Sequence, residues 1–245
     1  MKCTIIGAGS GLPHPDFHQS SLIVEVQQKV FLVDCGEGAS RQILKHGYNK
    51  DRIDAILISH YHPDHVSGIF MLFQMLYLEK RTKPLQVFLP ENPSSLIDVM
   101  HMFYTFEQKF SFELLVYETE SIGQFYPEIT SYQTDHLSGY DEIIKKHGFN
   151  NKLKSFSFCF NESGKKLLYT SDITTLHNIK QISDEADIVI IDALHPEADL
   201  IKNIKLKPKK KVILNHGISK YLKDWLDNNP SQHYELVSEN STYVL

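Results

Sequence analysis

Cysteine is scarce in this chain of 245 residues: Cys3, Cys35 and Cys159 are widely spaced, each beside apolar neighbours. The pattern argues against a disulfide scaffold or a sulfur-ligated metal and reads as buried thiols in a reducing cytoplasm. Long apolar runs are missing too, with no stretch reaching the roughly eighteen residues that a membrane span needs. The start, Met1 to Gly7, moves straight into a strand-like segment, without a signal-peptide core or cleavage site. A cytoplasmic protein without membrane association is the expectation. Positive charge is not in excess: the formal net charge is −5, which speaks against a dedicated nucleic-acid binder with a basic face. The local exception, Lys205-Leu206-Lys207-Pro208-Lys209-Lys210-Lys211, reads as a solvated loop before a strand; its functional reading is an anion-attracting rim. There is no G-x-S-x-G and no cysteine-nucleophile signature. The run from Gly7 to Pro15 lacks the third glycine of a dinucleotide fingerprint. Repeats, low-complexity tracts and linkers are absent as well.

What is present is ordinary globular composition, 42% hydrophobic and 22% charged, enough for a sizeable core. A single domain over residues 1–245 is expected. Strand-like segments at 3–8, 22–26, 30–33, 54–59, 85–89, 113–118, 129–134, 156–160, 166–170, 188–192 and 212–215 alternate with helix-like ones. The latter lie at 40–46, 69–80, 94–106, 140–147 and 173–182. This alternation predicts an α/β fold.

Histidine is plentiful, thirteen in all, and His60-Tyr61-His62-Pro63-Asp64-His65 is the densest cluster of metal-capable side chains. It follows the apolar run Ile56-Leu57-Ile58. Side chains alternate faces along a strand, so His60 and His62 point the same way as the strand runs out. Pro63 then breaks the regular backbone and turns Asp64 and His65 inward from a loop. Imidazoles and a carboxylate at this density suit a zinc-like ion. The alternative, a solvated polar loop, leaves the clustering unexplained. Three further strand-like segments end in a ligand type: His136 after Thr130–Asp135, Asp172 after Leu167–Ser171, and His216 after Val212–Asn215, where Gly217 permits a sharp exit. Each alone also reads as a cap or a satisfied core group. Asp34, in Val33-Asp34-Cys35-Gly36, reads either as a turn residue or as a carboxylate that orients a ligand imidazole or loop backbone.

Ser59 to His65, followed by Gly68, resembles the H-x-H-x-D-H signature of the metallo-β-lactamase superfamily. The opening Gly7-Ala8-Gly9-Ser10-Gly11-Leu12-Pro13-His14-Pro15 resembles its ribonuclease Z-like and phosphodiesterase branch. The resemblance implies a four-layer αββα sandwich. It also implies two divalent ions, zinc first, with manganese and iron open. By position it implies His60, His62 and His136 on one ion, Asp64, His65 and His216 on the second, and Asp172 bridging both.

A water held between two such ions has its pKa lowered toward about 7. Asp64 is the expected base that orients and deprotonates it, and His195, in Ala193-Leu194-His195-Pro196, is the candidate proton donor. The spacing of His195 fits the family poorly, and a structural or exposed histidine is the competing reading. The interval from His136 to Asp172 carries the short charged segment Asp141–Lys146 where the ribonuclease Z family carries a long tRNA-clasping arm. Tyr140 and His147 are candidates for a lid. A small phosphodiester is therefore the expected substrate, with RNA open. Carboxylic-ester, lactone or thioester hydrolysis is the alternative chemistry, and a non-catalytic metal-binding or sensing protein the alternative class. The Gly7–Pro15 turn reads equally as a phosphate-approaching backbone or a plain tight turn. Relatives are often homodimers, so a homodimer is open.

Overall fold

The structure, a computed structural model, describes residues 1–49 and 51–245. Its strands are β1 (Lys2–Gly7), β2 (Ser21–Val26), β3 (Lys29–Val33), β4 (Ala55–Leu57), β5 (Leu85–Leu89), β6 (Leu114–Glu118), β7 (Ile129–Gln133), β8 (Phe156–Glu162), β9 (Lys165–Tyr169), β10 (Ile188–Asp192), β11 (Lys211–Asn215), β12 (Tyr234–Leu236) and β13 (Thr242–Val244). Its helices are α1 (Ala39–Lys45), α2 (Pro63–Val66), α3 (Ile69–Leu78), α4 (Ser94–Met102), α5 (Ile122–Phe125), α6 (Asp141–His147), α7 (Lys180–Glu185), α8 (Ala198–Lys202) and α9 (Lys220–Asn228). Two compact units emerge, Met1–Ile122 with Ser238–Val244, and Gly123–Val237 with Leu245. Each carries one sheet.

The first unit holds seven strands in the order β13-β1-β2-β3-β4-β5-β6. Pairing is antiparallel from β13 to β3 and parallel from β3 to β6. The β2–β3 hairpin turns on Gln27 and Gln28, both at positive φ (48° and 66°), as a two-residue turn matched to strand twist requires. Helix α3 buries Ile69, Leu72, Phe73 and Leu76 in a core with Ile6, Ile23, Leu32 and Ile56. That spacing is one helical face, and each such side chain contributes about 1.5–3 kcal/mol through burial. Because β3 and β4 are parallel, with Val33 opposite Leu57, the residues that follow them leave the sheet side by side.

The second unit holds six strands in the order β12-β11-β10-β9-β8-β7. Strands β9 to β12 are parallel, and β8 is antiparallel to both β7 and β9. The unbroken run Ile188-Val189-Ile190-Ile191 is buried throughout, the signature of a central parallel strand. Two reversals make β7 run the same way as β9, β10 and β11. Residues that follow these four strands therefore emerge at one edge of the sheet.

Several expected elements differ in extent. The segment at 173–182 is helical only from Lys180, because the Asp135 carboxylate accepts from the amides of Thr174 and Thr175 and from Thr175 Oγ1. Those amides are held by a side chain instead of a helical turn. Helix α4 ends at Met102, where Tyr104 takes a left-handed φ of 57°. Asp64 and His65 lie in the helical turn α2 and not in an irregular loop. A proline at the first helical position starts a helix, since its missing N–H would be unpaired there anyway. The lysine-rich run is only partly solvated. Lys205 N donates to Asp184 Oδ1, Lys207 Nζ to the Glu185 carbonyl, and buried Lys210 to the carbonyls of Ser183 and Asp184. The run thus caps the C-terminal end of α7. Among the described residues, no helix is long and apolar enough to cross a membrane.

Candidate functional site

In the first unit the ligand candidates are fixed by the ends of β3 and β4. His60 and His65 are fully buried and Asp64 nearly so. The ring of His60 lies 4.6 Å from that of His62 and 4.2 Å from that of His65. Asp34 organises the group. Its Oδ1 accepts from Ser59 N at 2.8 Å, and its Oδ2 accepts from Ser59 Oγ at 3.0 Å and from His65 Nδ1 at 2.8 Å. It therefore holds both the loop backbone and the His65 imidazole. With Nδ1 engaged, His65 turns Nε2 toward Asp64 Oδ2, 3.4 Å away. Asp34 sits at φ 56°, a conformation that aspartate tolerates better than most residues.

Two glycines allow this packing. A Cβ on Gly36 would fall 2.3 Å from the Asp64 carbonyl oxygen, and one on Gly68 would fall 2.0 Å from the Gly36 carbonyl oxygen. Gly11, in the glycine-rich opening, lies at the same place: its Cβ would be 3.7 Å from Asp64 Oδ2.

In the second unit the shared strand edge gathers the other candidates. His136 Nε2 is 3.5 Å and His216 Nε2 3.3 Å from Asp172 Oδ2. Ser171 and His216 take positive φ (51° and 63°), and Gly217 follows at 88°, so β9 and β11 both end in sharp exits beside Asp172 and at His216. His195 belongs to the group: its Nδ1 is 3.9 Å from Asp172 Oδ2, and its ring is 5.0 Å from His136 and 5.5 Å from His216.

Asp192 is the residue that sequence reasoning passed over. Its Oδ2 accepts from His195 Nδ1 at 2.9 Å and from Ile173 N at 3.1 Å, while Oδ1 accepts from the amides of Leu194 and His195. It fixes the tautomer of His195, turning Nε2 away from the carboxylate, as Asp34 does for His65. The signal was available: Ile188–Asp192 is an apolar strand running into a carboxylate, the same pattern as Leu167–Asp172. Asp172, Asp192 and His195 together form a donor group capable of holding a metal ion.

Each donor set thus consists of imidazoles and carboxylates, several of them buried. Such clustering is costly unless charge and lone pairs are satisfied, and nitrogen and oxygen donors of this kind suit divalent zinc, manganese or iron. The residues fit resident metal ions. The cysteines offer no competing nucleophile: burial pushes the Cys3 thiol up to about 12 and the Cys159 thiol up to about 11, and raises Cys35 further.

Ribonuclease Z of Methanococcus maripaludis strain C5 is 34% identical over 122 residues, which is 49% of this chain and 38% of that protein. The chain thus aligns with well under half the length of that curated relative. The short form of human tRNase Z superposes with a TM-score of 0.68 at 20% identity, covering 100% of this chain and 99% of the other. The metallo-β-lactamase fold protein YhfI from Bacillus subtilis does so with a TM-score of 0.73 at 16% identity, covering 99% of each. The fold is therefore the metallo-β-lactamase fold. The family model described as Anti-Pycsar protein Apyc1 matches residues 1–216, and the chain belongs to that family.

Proposed function

We propose that the chain is a metal-dependent phosphodiesterase, with residues 1–245 acting as one catalytic domain. Two divalent ions would be held by His60, His62, Asp64, His65, His136, Asp172 and His216. The observation that carries the reading is the pair of carboxylate-organised donor sets. Each brings imidazole and carboxylate donors together at strand ends, and each has a second carboxylate, Asp34 or Asp192, that orients a histidine.

Two ions so held would lower the pKa of a water toward about 7 and take up charge on a phosphoryl oxygen. Asp64 orients the attacking water and accepts its proton. Asp34 keeps His65 presenting Nε2. His195 delivers a proton to the departing alkoxide, and Asp192 stabilises its protonated form. Names of relatives in the ribonuclease Z group point to phosphodiester bonds. A small substrate is favoured over tRNA because α6, Asp141–His147, is a short exposed helix with Lys145 paired to Asp141, in place of a long clasping arm.

The test is a panel of bis(p-nitrophenyl) phosphate, 3′,5′-cyclic nucleotides, a tRNA precursor, lactones and thioesters, run with metal-replete protein. Hydrolysis of the small phosphodiesters is expected. Turnover confined to lactones or thioesters would overturn the reading.

A further inference from the structure

The glycine-rich opening forms a closed surface loop. Gly9 N donates to the His18 carbonyl at 2.8 Å, and Phe17 N to the His14 carbonyl at 3.3 Å. Ends held this close define an Ω-type loop, a form frequently used for function. One carboxylate from far along the chain pins both ends. Glu239 Oε1 accepts from Ala8 N at 3.3 Å and from His18 N at 2.5 Å. Glu239 Oε2 meets His18 Nδ1 at 3.0 Å and accepts from Gln42 Nε2 at 3.4 Å. Gln42 Nε2 also lies 2.7 Å from the same His18 Nδ1, so the three side chains form one polar cluster at the base of the loop. Asn240 Oδ1 adds a contact to His46 Nε2 at 2.8 Å. Glu239 stands beyond residues 1–216, the stretch that the family model matches.

The loop's contents say what it touches. From Gly9 to Phe17 it contains no lysine or arginine to meet a phosphate. It carries instead Leu12, 81% exposed, and Phe17, 43% exposed, whose ring packs 5.3 Å from that of His14. Gly11, beside Leu12, borders the Asp64 carboxylate. An exposed apolar side chain close to the Asp64 carboxylate suits the organic part of a substrate.

We infer that Glu239 clasps Gly9–Phe17 as a substrate-contacting loop, in which Leu12 and Phe17 receive the organic group esterified to the phosphate. The identity of the substrate rests on the phosphodiesterase reading; the clasp does not. Glu239 is then a positioning residue that governs ground-state binding and not the chemical step.

The experiment combines hydrogen–deuterium exchange over residues 8–19 with steady-state hydrolysis of bis(p-nitrophenyl) phosphate. The variants are Glu239→Ala, Glu239→Gln and Leu12→Ser. Glu239→Ala is expected to speed loop-amide exchange about tenfold by local opening. It raises KM about fivefold with kcat within about twofold, the mark of lost uniform binding. Glu239→Gln keeps an acceptor for both amides and restores most of the protection and affinity. Leu12→Ser, at the exposed tip, raises KM without altering exchange. If Glu239→Ala does not fold, His18→Ala carries the same expectation at reduced size. Loop amides that exchange alike in wild type and variant overturn the clasp, whether or not any phosphodiester is hydrolysed. A parallel fall of kcat and melting temperature at constant KM also overturns it, and an unchanged KM in Leu12→Ser overturns the substrate contact. Increased exchange in Glu239→Ala with no hydrolysis by wild type supports the clasp and removes the phosphodiesterase reading alone.

Discussion

Two aspartates do the same work at two strand ends. Asp34 holds His65 and Asp192 holds His195, each through Nδ1, so each imidazole is committed to presenting its other nitrogen. The functional assignments nevertheless differ and lead to different outcomes. Asp34→Ala should weaken metal binding roughly 10–100-fold, the usual cost of losing the partner of a ligand imidazole, and a chelator competition assay reads it. His195→Ala should lower kcat roughly 10²–10⁴-fold while elemental analysis still finds the wild-type metal content. Loss of metal from His195→Ala would instead make His195 a ligand. The density of ligands from His60 to His65 was legible because sequence neighbours are spatial neighbours there. The roles of Asp192 and Glu239 were not, since the first needs the edge that parallel strands share and the second needs a contact between positions 18 and 239.

At the scale of elements, strand direction explains most of what the sequence made legible. Apolar runs ending in Asp172 and His216 were readable as strands with a terminal ligand, and β10 falls at Ile188–Asp192, as its composition indicates. Helix limits were less readable: the remote carboxylate of Asp135 delays α7, and Pro63, expected to break the backbone into a loop, starts α2. Close packing between α3 and the Cys35–Gly36 turn depends on Gly68. Gly68→Ala should therefore destabilise the fold by about 1–3 kcal/mol, as forced overpacking does, measured by chemical denaturation. Lys210 gives a second test. Burial pulls its ammonium from 10.5 down to about 8, so between those values the unfolded chain binds the proton that the folded chain has released. Stability then rises with pH across that window. The difference in unfolding free energy between wild type and Lys210→Met should grow from about pH 8 to 10.5; a difference independent of pH would contradict the assignment.

For the molecule as a whole, the alternation of strand-like and helix-like segments made an α/β fold legible, and the metallo-β-lactamase fold came from the resemblance carried by His60 to His65. The separation into two compact units was not, since no linker or shift in composition marks the passage through α5. Nor was the return of Ser238–Val244 to the first unit, where β13 pairs with β1. The proposed function is a phosphodiesterase that needs two divalent ions. Its most direct test is to titrate metal-free protein with Zn²⁺ in a calorimeter while following hydrolysis of bis(p-nitrophenyl) phosphate. Two equivalents of tight binding, with activity reaching its plateau only as the second is filled, is the expected result. Undiminished hydrolysis by the chelated protein, or full activity at a single equivalent, would contradict it.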